Sequence, residues 1–116
     1  MYRFHVNLFG RPFSCTWEQA ASALGVLPRM MFEPDGSWIF SGGVGVDRWQ
    51  VDGHLFDFDD RLHRVELHGE CPEVAFDQLL RCFGWPATEM SFEQVMTGTT
   101  LNENEFRLQS VSPPEH

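Results

Sequence analysis

The chain contains no lysine. All eight basic residues are arginine, set against seventeen Asp and Glu, which leaves a formal charge of −9 over 116 residues. This excludes any mechanism built on a lysine amine. It also argues against nucleic-acid or anionic-membrane partners, which need a basic patch to displace counterions. Tyrosine is almost missing, with one residue, and cysteine comes as an odd three, Cys15, Cys71 and Cys82. Without CxxC spacing these give neither a disulfide framework nor a zinc motif. No apolar run reaches the ~18 residues that a membrane span requires, and there is no secretory h-region, so a reducing cytoplasm is the expected compartment. Internal repeats and low-complexity runs are lacking too. Gly43 and Gly45 lack the rest of a dinucleotide fingerprint and any GK[ST] ending, so residues 41–46 are expected to be a plain connector.

What the chain does have is aromatic bulk, eleven Phe and four Trp. For one domain of this size that load leaves apolar surface with which to pair two subunits, and a homodimer is expected. The predicted organisation is a single α+β domain over residues 1–110 with a disordered tail at 111–116. Its architecture is an antiparallel β-meander with two main helices packed on one face.

The central stretch, 49–85, carries most of this expectation. Asp52-Gly53 is the dipeptide favoured by a two-residue type I′ turn, where both residues need positive φ. It would pair Val51 with His54 and Trp49 with Phe56, gathering Trp49, Val51, Phe56 and Phe58 on one face. A second two-residue turn at Asp60-Arg61 would set Phe58 opposite His63 and Asp57 opposite Arg64, giving a wet-face row of Arg48, Asp57 and Arg64. A three-residue loop of Asp59, Asp60 and Arg61 is the alternative, set aside because it turns Val65 outward. After Gly69, Pro72 opens a helix whose stripe is Phe76, Leu79, Leu80 and Phe83, and Gly84 stops it.

Elsewhere, residues 2–8 alternate as a first strand, with Phe4, Val6 and Leu8 on one face. Thr16 and Gln19 form a capping box for a short helix that Gly25 ends. Glu33 to Ser37 suggests a hairpin with Gly36 in the left-handed position, pairing Phe32 with Trp38 and Met30 with Phe40. A further strand is expected from Met90 to Met96 with Met90 and Phe92 inward, then a capped helical turn begun by Asn102 and Glu105.

Residues 55–62, LFDFDDRL, resemble the hhhDxDGT motif of the haloacid-dehalogenase-like phosphatases. The resemblance implies Asp57 as nucleophile, Asp59 as general acid, and magnesium. Asp60 stands where that motif has Gly, Arg61 where it has Thr, and the lysine the family uses further on does not exist here. An antiparallel hairpin also conflicts with the parallel sheet of that family. The carboxylates Asp57, Asp59 and Asp60 alone read as a solvated turn rather than a hard-cation site. His54 and His63 are expected on the apolar face but roughly 13 Å apart along it, too far to share an ion. Cys71, near a helix N-terminus, is the one thiol whose pKa the dipole would lower.

The combination WQVDG, VEL, GECP, FDQLL and GWP over residues 49–86 resembles a small group of uncharacterised bacterial proteins of similar length, which implies no activity, cofactor or site. The expected role is therefore a non-catalytic protein-interaction or accessory binding domain whose partner is a second copy of itself or another protein. Trp38, Phe40 and Trp85 are its candidate contact residues, and no metal or cofactor is expected. The alternatives are a small metal-assisted hydrolase using Asp57 and Asp59 with His63, and a small-molecule binder with an aromatic pocket between sheet and helix.

Overall fold

Alternating apolar residues build seven strands: Tyr2–Gly10 (β1), Met30–Phe32 (β2), Ser37–Gly42 (β3), Trp49–Phe58 (β4), Arg61–Cys71 (β5), Met90–Gln94 (β6) and Thr100–Asn102 (β7). In the computed structural model, which describes residues 1–111, they form one antiparallel sheet in the order β2-β3-β4-β5-β1-β6-β7. With the helices Trp17–Gly25 (α1), Glu73–Arg81 (α2) and Glu103–Ser110 (α3), this is an α+β fold. The meander expected from sequence holds from β2 to β5 and between β6 and β7. The first strand departs from it, lying between β5 and β6. Val111 forms an isolated bridge with Tyr2, and the rest of the expected tail, 112–116, lies outside the described residues.

The expected Asp52-Gly53 turn does not form. β4 runs straight through it, with Gly53 opposite Trp38 on one side and Leu67 on the other. A Cβ on Gly53 would fall 2.0 Å from the Trp38 ring, so this glycine admits a neighbouring indole instead of bending the chain. The hairpin turn lies at Asp59-Asp60, where both residues have positive φ, 50° and 66°. It pairs Phe58 with Arg61 and Asp57 with Leu62, and an irregularity after Phe56 then sets Phe56 opposite Arg64. His63 is the extra residue of that bulge. The bulge corrects the expected register, because it lets Leu62 and Val65 both point into the core, 4% and 0% exposed. The Arg48, Asp57, Arg64 row is consequently not made.

The β2–β3 hairpin has the expected pairs, Phe32 with Trp38 and Met30 with Phe40, around Gly36 at φ 96°. Thr16 and Gln19 cap α1 reciprocally, and Asn102 and Glu105 do the same for α3, a full helix rather than one turn. The stripe of α2 is fully buried: Phe76, Leu79, Leu80 and, just past its end, Phe83. Phe76 meets Tyr2 edge-on at 5.5 Å and Phe106 of α3 at 5.3 Å, and Phe106 stacks on Phe92 of β6 at 4.4 Å. Each such ring contributes about 1.5–3 kcal/mol by burial. Among the described residues, no helix is long and apolar enough to cross a membrane.

Candidate functional site

A groove of about 680 Å³ opens where the start of α1, the β2–β3 turn and the β4–β5 hairpin meet. Three main-chain bonds assemble it. The Leu62 N–H donates to the Cys15 carbonyl at 3.3 Å and the Trp17 N–H to the Asp60 carbonyl at 3.0 Å, tying the hairpin tip to the first turn of α1. The Leu55 N–H donates to the Gly36 carbonyl at 2.9 Å, bringing in the β2–β3 turn. Across the middle, Trp17 Nε1 donates to the Leu55 carbonyl at 3.4 Å, so the indole forms a fixed wall.

Four carboxylates line this groove: Glu18, Asp35, Asp57 and Asp60. No arginine lines it among the described residues. Asp35 Oδ1 accepts from both the Ser37 hydroxyl, at 2.6 Å, and the Ser37 N–H, at 2.9 Å, and these bonds hold its carboxyl below the usual range. The apolar part of the lining is Trp17, Leu55 and Phe56, with His54 stacked on the Phe56 ring at 4.4 Å. The Arg64 guanidinium lies 3.6 Å from the centroid of that ring and donates to Asn7 Oδ1 at 3.0 Å, which keeps Phe56 in place. An acidic rim around aromatic surface suits an organic cation, which gains from both.

Of the three residues expected for a hydrolase, Asp57, Asp59 and His63, only Asp57 lines this groove, where Asp60 and His54 join it. Asp59 sits exposed in the turn, and exposed His63 points its ring at Phe9, edge-on at 5.9 Å. The three are not gathered into one site. Trp38 and Phe40, expected as contact residues, are core residues at 2% exposure. Trp38 Nε1 is buried with no hydrogen-bond partner among the described residues. Trp85 is half-buried, its Nε1 bonded to Glu103 at 2.8 Å. These three aromatics therefore do not make a common surface. Cys71 is fully buried, and burial pushes its thiol up to about 12, the reverse of the lowering expected from the helix dipole. Among the described residues, no three His, Cys, Asp or Glu side chains are grouped to hold a metal ion.

Glu18, Asp35 and Trp17 were not singled out by sequence reasoning. The capping box places Trp17 and Glu18 in the first turn of α1, but nothing local says that the Asp59-Asp60 tip folds onto that turn. Compared with protein-family models, curated proteins and solved structures, the chain matches none.

Proposed function

We propose that the protein is a non-catalytic binding domain and that its groove receives a positively charged side chain from a protein partner. What supports this reading is one observation: four carboxylates share a concave surface with the half-buried ring of Trp17. An arginine or lysine entering there would gain charge attraction at the rim and ring contact inside. The chain's overall charge of −9 would speed the encounter with a basic partner. The reading includes α1 and α2 covering the sheet face that carries Val6, Leu8, Val51 and Leu55, and residence in a reducing compartment, which suits three unpaired thiols. Self-association is its second form. Met31 and Ile39 are paired across β2 and β3 and are 63% and 37% exposed, an apolar spot a second copy would cover. A hydrolase built on Asp57, Asp59 and His63 lacks comparable support, since those side chains do not share the groove.

The test is an NMR titration of the full chain with a short arginine-containing peptide, repeated with free methylguanidinium. Saturable shifts at Trp17, Phe56 and Asp57, weakened by salt and by about tenfold in Asp57→Asn, are expected for the peptide. Equal binding of methylguanidinium would instead favour a small-molecule pocket. The absence of saturable shifts at the groove with either probe would remove the proposal. Sedimentation velocity reports the self-association directly.

A further inference from the structure

A second concavity, of about 330 Å³, lies where β3 ends and β4 begins, and its chemistry is opposite to that of the acidic groove. Arg29 and Arg48 both line it, beside Trp49, Gln50 and the main chain at Gly42 and Gly69. Its distance from the acidic groove is roughly seven strand residues, from Trp49 to Phe56, or about 23 Å.

Arg29 is held at φ 60°, a left-handed conformation in which a side chain other than Asn or Asp is uncommon and costs about 1–2 kcal/mol. A glycine would sit there without strain, so an arginine at this position is unexplained by the backbone. Its Nη1 donates to the Gly43 carbonyl at 3.0 Å, which anchors the guanidinium while leaving most of its five donors unused. Arg48 is exposed and makes no ion pair among the described residues, and neither does Arg29. The one carboxylate on the cleft wall, Glu70, is already taken by Arg3 at 2.8 Å.

The aromatic part of the cleft lining is held in place. Trp49 meets Phe40 edge-on at 5.0 Å, and its ring lies across Gly42, where a Cβ would come within 2.3 Å of it. Gly69, at φ 141°, allows the main chain of Gln50 to close in to where a Cβ would meet its carbonyl oxygen at 2.2 Å. Two guanidinium groups beside a fixed aromatic wall match a planar or tetrahedral oxyanion, to which arginine offers paired N–H donors.

We propose that the Arg29–Arg48 cleft binds an oxyanion, the phosphate or carboxylate group of a small ligand, with Trp49 as its aromatic wall. The site is independent of the acidic groove and stands whether or not that groove binds a cation.

The experiment is a ¹H–¹⁵N NMR titration of the full chain with sodium phosphate and then sodium acetate, each against sodium chloride at equal ionic strength. Expected are saturable shifts at the Trp49 indole N–H and the Gly42 and Gly43 amides, absent with chloride. Saturation with phosphate alone assigns the phosphate form, and saturation with acetate assigns the carboxylate form. Arg48→Gln should weaken binding about tenfold or more, the usual loss for a hydrogen bond to a charged group. Arg29→Gly should do the same while folding at least as stably as the parent, because glycine relieves the left-handed residue. Arg81→Gln, remote from the cleft, should bind like the parent. Shifts that chloride reproduces, shifts that never saturate, or parent-like binding by both Arg29→Gly and Arg48→Gln would overturn the proposal.

Discussion

Gly53 lies opposite Trp38 in the β3–β4 ladder, and the indole occupies the space a Cβ would need, 2.0 Å from the ring. Both residues sit in the middle of the sheet, so neither neighbour can move away cheaply. Gly53→Ala is therefore expected to destabilise the fold by about 1–3 kcal/mol, as overpacking of a dense core does. Trp38→Phe in the same chain should recover much of that loss by removing the overlapping atoms. Urea denaturation of the two single variants and the double variant measures the coupling. Simple additivity would mean that the two side chains do not compete for this space.

That relationship also explains where sequence reading succeeded and failed. The Phe32–Trp38 hairpin was legible because a Gly36 turn and the alternation around it agree. The stripe of α2 and both capping boxes were legible for the same reason, since each is local. Asp52-Gly53 and Asp59-Asp60 were misassigned because a glycine that admits a cross-strand indole looks, in one dimension, like a glycine that makes a turn. The turn, one residue earlier than Asp60-Arg61, displaced the pairs assigned to that hairpin by two positions near its tip, and the bulge at His63 brought the rest back to within one. The acidic groove was scarcely legible. Its carboxylates come from residues 18, 35, 57 and 60, and only the folding of the hairpin tip against Trp17 brings them together.

Asp59 and Asp60 adopt left-handed conformations at φ 50° and 66°, which Asn-Gly would accept with less strain. Replacing the pair by Asn-Gly should raise stability by about 1 kcal/mol, read as a shift in the urea midpoint at constant slope. The Asp60 carbonyl that accepts from Trp17 is main chain and survives the change. Only the Asp60 carboxylate leaves the groove, so affinity for an arginine peptide should fall while stability rises. A parallel fall in both would place the role of Asp60 in the fold alone.

Arg107 joins three elements. Its guanidinium donates to Asp77 of α2 at 2.7 Å, to Glu103 of α3 at 2.9 Å and to the Tyr2 hydroxyl of β1 at 3.2 Å. The side chain is only 17% exposed, so truncation leaves partly buried acceptors without a donor. Arg107→Ala should cost about 3 kcal/mol, and Arg107→Lys should restore less than half of it because an ammonium cannot reach three acceptors in the same plane. Tryptophan fluorescence during denaturation reports the loss. Full rescue by lysine would show that charge, not the guanidinium fork, holds α3 in place.

Cys71 makes stability fall with rising pH in the alkaline range. Its thiol ionises at about 12 in the folded protein, raised by burial from the ordinary 9.0. Between those values the unfolded chain gives up this proton while the native chain keeps it, so the native state binds more protons and stability falls as pH rises. Below pH 9 the two states are equally protonated at this sulfur and the effect vanishes. Cys82, pushed up to about 11, adds a decline of the same sign over a narrower interval. Cys71→Ala should therefore lower stability near neutral pH, through lost packing, yet flatten its decline above pH 9. Denaturation midpoints across this interval measure the slope. An unchanged slope in the variant would show that this sulfur is not the group whose ionisation opens the fold.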